Sequence, residues 1–198
     1  MRYNMDDKNY FEKLGLTTIH KFFEYAQSQI DYGWIDQNGN KHNGVNNAET
    51  YRLQSPIELL KSHIGICWDM TELCRSFFEN MTSFKYETYY LFYDDDAGCP
   101  SHSILVYYDN HKVYWFEPMF TDEECYYSGI HEYNNISELL SDFKNIFMKH
   151  ALHTKMIQSD YDINKLNLYK YCKPNYHING FEMRQHINNS TFMDTNIL

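Results

Sequence analysis

Gly65-Ile66-Cys67-Trp68-Asp69-Met70 is the stretch on which the reading of this chain turns. From Ile66 onward, Ile66, Met70, Leu73, Cys74, Phe77, Phe78 and Met81 follow the i, i+4, i+7, i+8 spacing of one buried helical stripe. Cys67 therefore falls in the first turn of a central helix. Just upstream, Ser55-Pro56-Ile57-Glu58-Leu59-Leu60 reads as the start of a shorter helix, with a Ser cap, Pro at the first helical position and Glu58 three residues after the cap.

Working outward toward the N-terminus, residues from about Asp7 to Tyr32 carry apolar side chains at helical spacing, interrupted at Gly15, where a break or kink is expected. The polar run Asp36-Gln37-Asn38-Gly39-Asn40-Lys41-His42-Asn43-Gly44 contains the Asn-Gly dipeptide of tight turns and reads as a surface loop or hairpin tip, the segment best placed to act as a lid.

Toward the C-terminus three strands are expected after the cysteine helix. Phe84 to Tyr93 is rich in strand formers and ends at Asp94-Asp95-Asp96-Ala97-Gly98. Ser101 to Tyr108 and Lys112 to Phe116 follow, joined at Asp109-Asn110-His111 by a tight antiparallel turn. That turn sets a register in which His102 stands directly opposite Glu117. Ile136 to Leu152, opened by Ser137, reads as a helix, Tyr169 to Pro174 as a strand and Gly180 to Ile187 as a short helix. The last ten residues are polar and expected to fray. The chain shows no internal repeat, and the region after about residue 152 has no assigned role beyond structural wrapping.

A length of 198 residues with 43% hydrophobic composition suits one domain with a substantial core. Aromatic residues make up 18% of the chain, so the core and any cleft wall are built largely of ring surface, which favours a groove for polypeptide or another extended ligand. A net charge of -10, with no run of Lys and Arg among aromatics, excludes nucleic acid as an expected partner. The N-terminus lacks the apolar core of a secretory signal and no stretch approaches a membrane span, so a cytoplasmic protein without membrane contact is expected. The cysteines Cys67, Cys74, Cys99, Cys125 and Cys172 are odd in number and contain no Cys-x-x-Cys pair, which suits reduced thiols and argues against a structural zinc site.

Chemistry enters through three residues. A cysteine is an effective nucleophile only as thiolate, and a helix N-terminus with its free N–H groups and positive dipole end favours that form at Cys67. His102 would supply the imidazolium partner and the proton for a leaving amine, and Glu117 would orient the ring and stabilise its charge. Taken singly, Cys67 could be a core filler, His102 one histidine among ten and Glu117 an exposed strand end; it is their joint order that points to acyl transfer. Cys74 reads as core, and Cys99, Cys125 and Cys172 lack the helix-start setting.

These blocks resemble the transglutaminase-like superfamily: Gly65-Ile66-Cys67-Trp68, then Ser101-His102-Ser103, then Trp115-Phe116-Glu117-Pro118. The resemblance spans about residues 55 to 120. It implies an α+β, papain-like core in which N-terminal helices carrying Cys67 pack on an antiparallel sheet carrying His102 and Glu117. It departs from the family in having Glu117 in place of the usual Asp, and Ser103-Ile104 after the histidine. Asp109 and Asp122 are fallback acids. For the oxyanion donor beyond the Cys67 N–H, the resemblance points upstream to Trp34, Tyr51 or Gln54. Trp68 is expected to pack beside the nucleophile.

The expected activity is cysteine-dependent cleavage of an amide bond in a protein or peptide, as peptidase, amidase or deamidase in preference to a crosslinking transglutaminase. It requires no metal and no organic cofactor. The competing expectation is a catalytically silent domain of the same type that binds peptide or a partner protein through its Tyr- and Phe-rich groove. A histidine-based metallohydrolase is disfavoured, because no His-x-x-x-His or His-Glu-x-x-His spacing occurs.

Overall fold

The hairpin expected around Asp109-Asn110-His111 forms part of a larger antiparallel sheet than the sequence suggested. A computed structural model of the chain describes residues 5–44, 46–94, 100–119, 128–158, 162 and 165–193. In order, the elements are α1 (Met5–Lys13), α2 (Ile19–Gln29), β1 (Asp31–Ile35), β2 (Lys41–Asn43), α3 (Pro56–Ser62), β3 (Ile64–Gly65), α4 (Cys67–Met81), β4 (Lys85–Tyr93) and β5 (Ser101–Asp109). They continue with β6 (Lys112–Glu117), β7 (Gly129–Tyr133), α5 (Ile136–His153), β8 (Leu166–Tyr171), α6 (Gly180–Asn188) and β9 (Thr191–Met193). The class is α+β.

Strand order in the main sheet is β7-β6-β5-β4-β8-β9, antiparallel throughout. Its pleat sends alternate side chains to opposite faces. Tyr90, Leu105, Tyr107, Phe116 and Tyr171 join the core cluster that contains α4, with Phe11, Phe22, Leu59 and Met183 from the other helices of that side. Tyr89, Leu91, Ile104, Val106 and Trp115 face the opposite way, onto Leu139, Leu140, Phe143 and Phe147 of α5. The helix of the nucleophile candidate is thus pressed on one face of the sheet and α5 covers the other.

Local sequence accounts for most of these elements. Gly15, at φ 73°, separates α1 from α2 where a break was expected, and Leu16 returns to the core. Ser55 and Glu58 form the capping box at α3, with Glu58 Oε2 accepting from the Ser55 N–H at 2.8 Å. Asn110 and His111 adopt left-handed φ values of 46° and 69°, so β5 and β6 are joined by a two-residue turn with Asp109 opposite Lys112.

Several expectations need correction. The N-terminal helical region stops at Gln29, and Asp31–Ile35 is a strand: it pairs parallel with β3 and antiparallel with β2. The polar run after Ile35 does form the expected hairpin tip, between β1 and β2, closed by Asp36, whose carboxylate accepts from the backbone N–H groups of Asn38 and Asn40 at 2.9 and 2.8 Å. Asn135, not Ser137, caps α5. Thr191–Met193, within the segment expected to fray, pairs with β8. Finally, the β5–β6 register differs by two residues from the expected one: Leu105 pairs with Phe116, so His102 is not directly opposite Glu117. A shift of two preserves the face on which each side chain lies.

Candidate active site

Cys67 is the first residue of α4, preceded by β3 and the extended residue Ile66. Its position at the helix start depends on Gly65, because a Cβ there would come within 2.7 Å of Leu59 Cδ1 and 2.9 Å of Asp69 Cβ. Asp69 secures the same turn: Oδ2 accepts from the Ile66 N–H at 3.1 Å and Oδ1 from the Gln54 N–H at 2.9 Å. Burial raises the Asp69 pKa to about 7, against the lowering effect of the hydrogen bonds it accepts.

His102 and Glu117 meet at one end of the β5–β6 hairpin, where His102 Nε2 and Glu117 Oε2 are 2.7 Å apart. Cys67 lies near enough to the imidazole to act on its charge. The ring is flanked by Phe143 of α5, centroid to centroid 6.2 Å. Burial alone would drive the charge off His102, but Glu117 and Cys67 outweigh it and raise the pKa to about 10. His102 and Glu117 are therefore paired, with Cys67 near enough to act on the ring, and all three are nearly enclosed: Cys67 is 8% exposed, His102 4% and Glu117 3%.

The upstream residues divide. Register places Tyr32 beside Gly65 in the parallel β1–β3 pair, and Trp34, two residues further on, belongs to the same core cluster as Cys67. The buried indole N–H groups of Trp34 and Trp68 have no hydrogen-bond partner among the described residues. Tyr51 is fully buried, tilted against Trp68 at 5.7 Å, and close enough to Asp69 and Cys67 for their charges to raise its pKa further after burial has done so. Trp68 also leans on Tyr90 at 5.8 Å, so it is a packing residue next to the thiol. Gln54 is engaged in the scaffold: its amide donates to the Ile64 carbonyl at 2.8 Å and accepts from Ser62 Oγ at 2.7 Å.

Tyr32 is a site neighbour that sequence reasoning missed. Although it is 45% exposed, desolvation and then the charges of Cys67 and Asp69 raise its pKa. The missed signal was the strand at 31–35, absorbed into a helical reading by its apolar spacing.

Among the other acids and thiols, Asp109 lies in the β5–β6 turn, at the opposite end of the hairpin from His102. Asp122, Cys99 and Cys125 fall outside the described residues. Cys74 is buried on α4, and burial pushes its thiol well up. Cys67, Cys74 and Cys172 are free thiols. Among the described residues no group of three or more His, Cys, Asp or Glu side chains is arranged to hold a metal ion, and no helix is long and apolar enough to cross a membrane. No protein-family model matches the chain, and no curated protein matches it significantly.

Proposed function

We propose that this protein is a cysteine-dependent acyl-transfer enzyme of the transglutaminase-like type, with a papain-like arrangement of helix and sheet, acting on an amide bond of a protein or peptide. The observation that carries this reading is the imidazole of His102, bonded at 2.7 Å to Glu117 through Nε2, with the Cys67 thiol near enough to help raise its pKa. A histidine held in this way has the two partners that nucleophilic catalysis requires.

In the proposed reaction the Cys67 thiolate attacks the carbonyl carbon of the substrate amide while His102 is protonated. The negative charge that develops on the carbonyl oxygen is received by the backbone N–H of Cys67, free of helical bonding at the first position of α4, and by the Trp34 indole N–H or the Tyr51 hydroxyl. The C–N bond then breaks as His102 gives its proton to the departing nitrogen, leaving a thioester on Cys67. His102, now neutral, takes a proton from water as the water oxygen attacks the thioester. The C–S bond breaks, the carboxylic acid leaves and the thiolate–imidazolium pair is restored. Hydrolysis is preferred to amine transfer, since excluding water from a thioester demands a closed tunnel. The free thiols of Cys67, Cys74 and Cys172 suit a reducing compartment, consistent with work in the cytoplasm.

One observation favours a second reading. With Cys67 only 8% exposed, the opening to its sulfur is narrow. A silent domain that binds peptide through its aromatic surface needs no such opening. Alkylation by iodoacetamide separates the two: the enzyme reading expects Cys67 in the native protein to react below pH 7 and His102→Ala to slow it, as read by mass spectrometry. A Cys67 that reacts only on unfolding, or at a rate indifferent to His102, leaves the binding domain.

A further inference from the structure

Cys67 and His102 stand on different elements, α4 and β5, so their separation depends on how that helix is fastened to that strand. Apolar packing fixes the approach of helix and sheet but allows sliding, whereas directional bonds between buried groups do not. Beneath the first turns of α4 runs one chain of such bonds. Arg75 Nε donates to both Glu72 oxygens at 3.1 and 3.0 Å, and its Nη2 donates to Thr88 Oγ1 at 2.5 Å. Thr88 Oγ1 donates to the Tyr171 carbonyl at 2.7 Å. The Tyr171 hydroxyl and Ser103 Oγ are 2.5 Å apart. Ser103 adjoins His102 on β5.

All five side chains are buried, and between them they join α4, β4, β8 and β5. The Arg75 guanidinium also lies over the Tyr171 ring at 5.3 Å. The Tyr171 phenol reaches across β4, which lies between β8 and β5 in the sheet, to meet Ser103. Its position under α4 also brings it within range of the Cys67 charge. A buried ion pair adds little stability over apolar packing of the same volume, so the distinctive property of this chain is its geometry.

We infer that Glu72, Arg75, Thr88, Tyr171 and Ser103 form a polar tie that sets the separation of the Cys67 helix from the His102 strand, with Tyr171 as its central positioning residue. The inference rests on the Cys67–His102 reading proposed above. Tyr171 touches no reacting atom in this scheme; it acts through Ser103, holding the start of β5 against the helix.

The test compares wild type, His102→Ala, Tyr171→Phe, Ser103→Ala and the double variant Tyr171→Phe/Ser103→Ala. Two quantities are read: the rate of Cys67 alkylation by iodoacetamide, and the titration of the His102 ring by NMR. The tie predicts that each single variant at 171 or 103 slows alkylation roughly tenfold, a loss typical of small misplacements of reacting groups, and moves the His102 titration downward. It predicts further that the double variant is no slower than either single one, because both remove the same bond. If Tyr171→Phe fails to fold, Ser103→Ala, which deletes one oxygen, decides the matter. Wild-type rate and titration in the tie variants, with His102→Ala slow, overturn the tie and leave the thiol–imidazole pair standing. A wild-type rate indifferent to His102→Ala overturns both.

Discussion

Glu117 reaches His102 on a diagonal. The ladder between β5 and β6 pairs Leu105 with Phe116, which sets Glu117 opposite Ile104 and two residues short of His102, yet Oε2 lies 2.7 Å from Nε2. Diagonal neighbours on one face of a sheet are ~7–8 Å apart at their α-carbons, within reach of a long side chain. Glutamate spans the gap; aspartate is one methylene shorter.

Glu117→Asp is therefore expected to behave as a loss of the acid and not as a conservative change. Both Glu117→Asp and Glu117→Gln should lower the His102 pKa from its position near 10, where Glu117 and Cys67 hold it against burial. A histidine raised in the fold stabilises the protein fully below its unfolded value of 6.5 and loses that contribution as pH rises through about 10. Wild-type stability should thus decline between those limits and the two variants should show less of the decline, as measured by denaturant midpoints across that range.

Asp69 gives the opposite kind of pH dependence to the usual carboxylate. Its pKa is raised by burial from 3.8 to about 7, so the folded state holds the proton more tightly than the unfolded chain. Its effect on stability is most favourable below 3.8 and is lost as pH climbs through about 7. Asp69→Asn should remove that component of the pH profile, while putting an amide donor against one of the two backbone N–H groups the carboxylate now serves. Urea unfolding of both proteins at pH 5 and pH 8 checks the sign.

Gly65→Ala should overpack the turn that presents Cys67. The added Cβ would have to displace Leu59 and Asp69, an insertion that typically costs about 1–3 kcal/mol. Alkylation of Cys67 should slow in the same variant, since the helix start moves with the turn. Chemical denaturation and the alkylation rate, measured on one preparation, test both effects.

Arg75→Met should be more damaging than its place far from the thiol suggests. The change leaves the Glu72 carboxylate buried without its partner, and breaking such a pair costs roughly 3–5 kcal/mol. Removing both charges, Glu72→Leu with Arg75→Met, should recover part of that loss. A double-mutant cycle in guanidinium chloride reads the coupling directly.

The sequence made the central helix legible because its apolar stripe is long and regular, and α3 because its cap, proline and glutamate are adjacent. His102 and Glu117 were legible as a pair because the Asp109-Asn110-His111 turn fixes which face each side chain takes, even though the register was two residues off. What escaped was non-local. The β1–β3 pair joins Tyr32 to Gly65 through a strand of two residues, too short to leave a pattern. The buried tie is equally hidden: Glu72 and Arg75 lie beside the apolar stripe of α4, and their relation to Tyr171 depends on a strand arriving from the far end of the chain. Gln54, one of the upstream donor candidates, is engaged in hydrogen bonds that only the packed structure reveals.

The place of β8 in the sheet turns the C-terminal region from a wrapping into a safeguard. It fills the position beside β4, a nine-residue strand rich in Tyr and Phe. On the ribosome, β4 and the β5–β6 hairpin emerge well before β8, and until it arrives β4 presents a long aromatic edge able to recruit a second chain. The same arrival brings Tyr171 to Ser103. Truncation ahead of residue 166 should therefore yield chains that aggregate through the β4 edge, with the helix of Cys67 never fastened to the strand of His102. Solubility and thiol reactivity would be lost together.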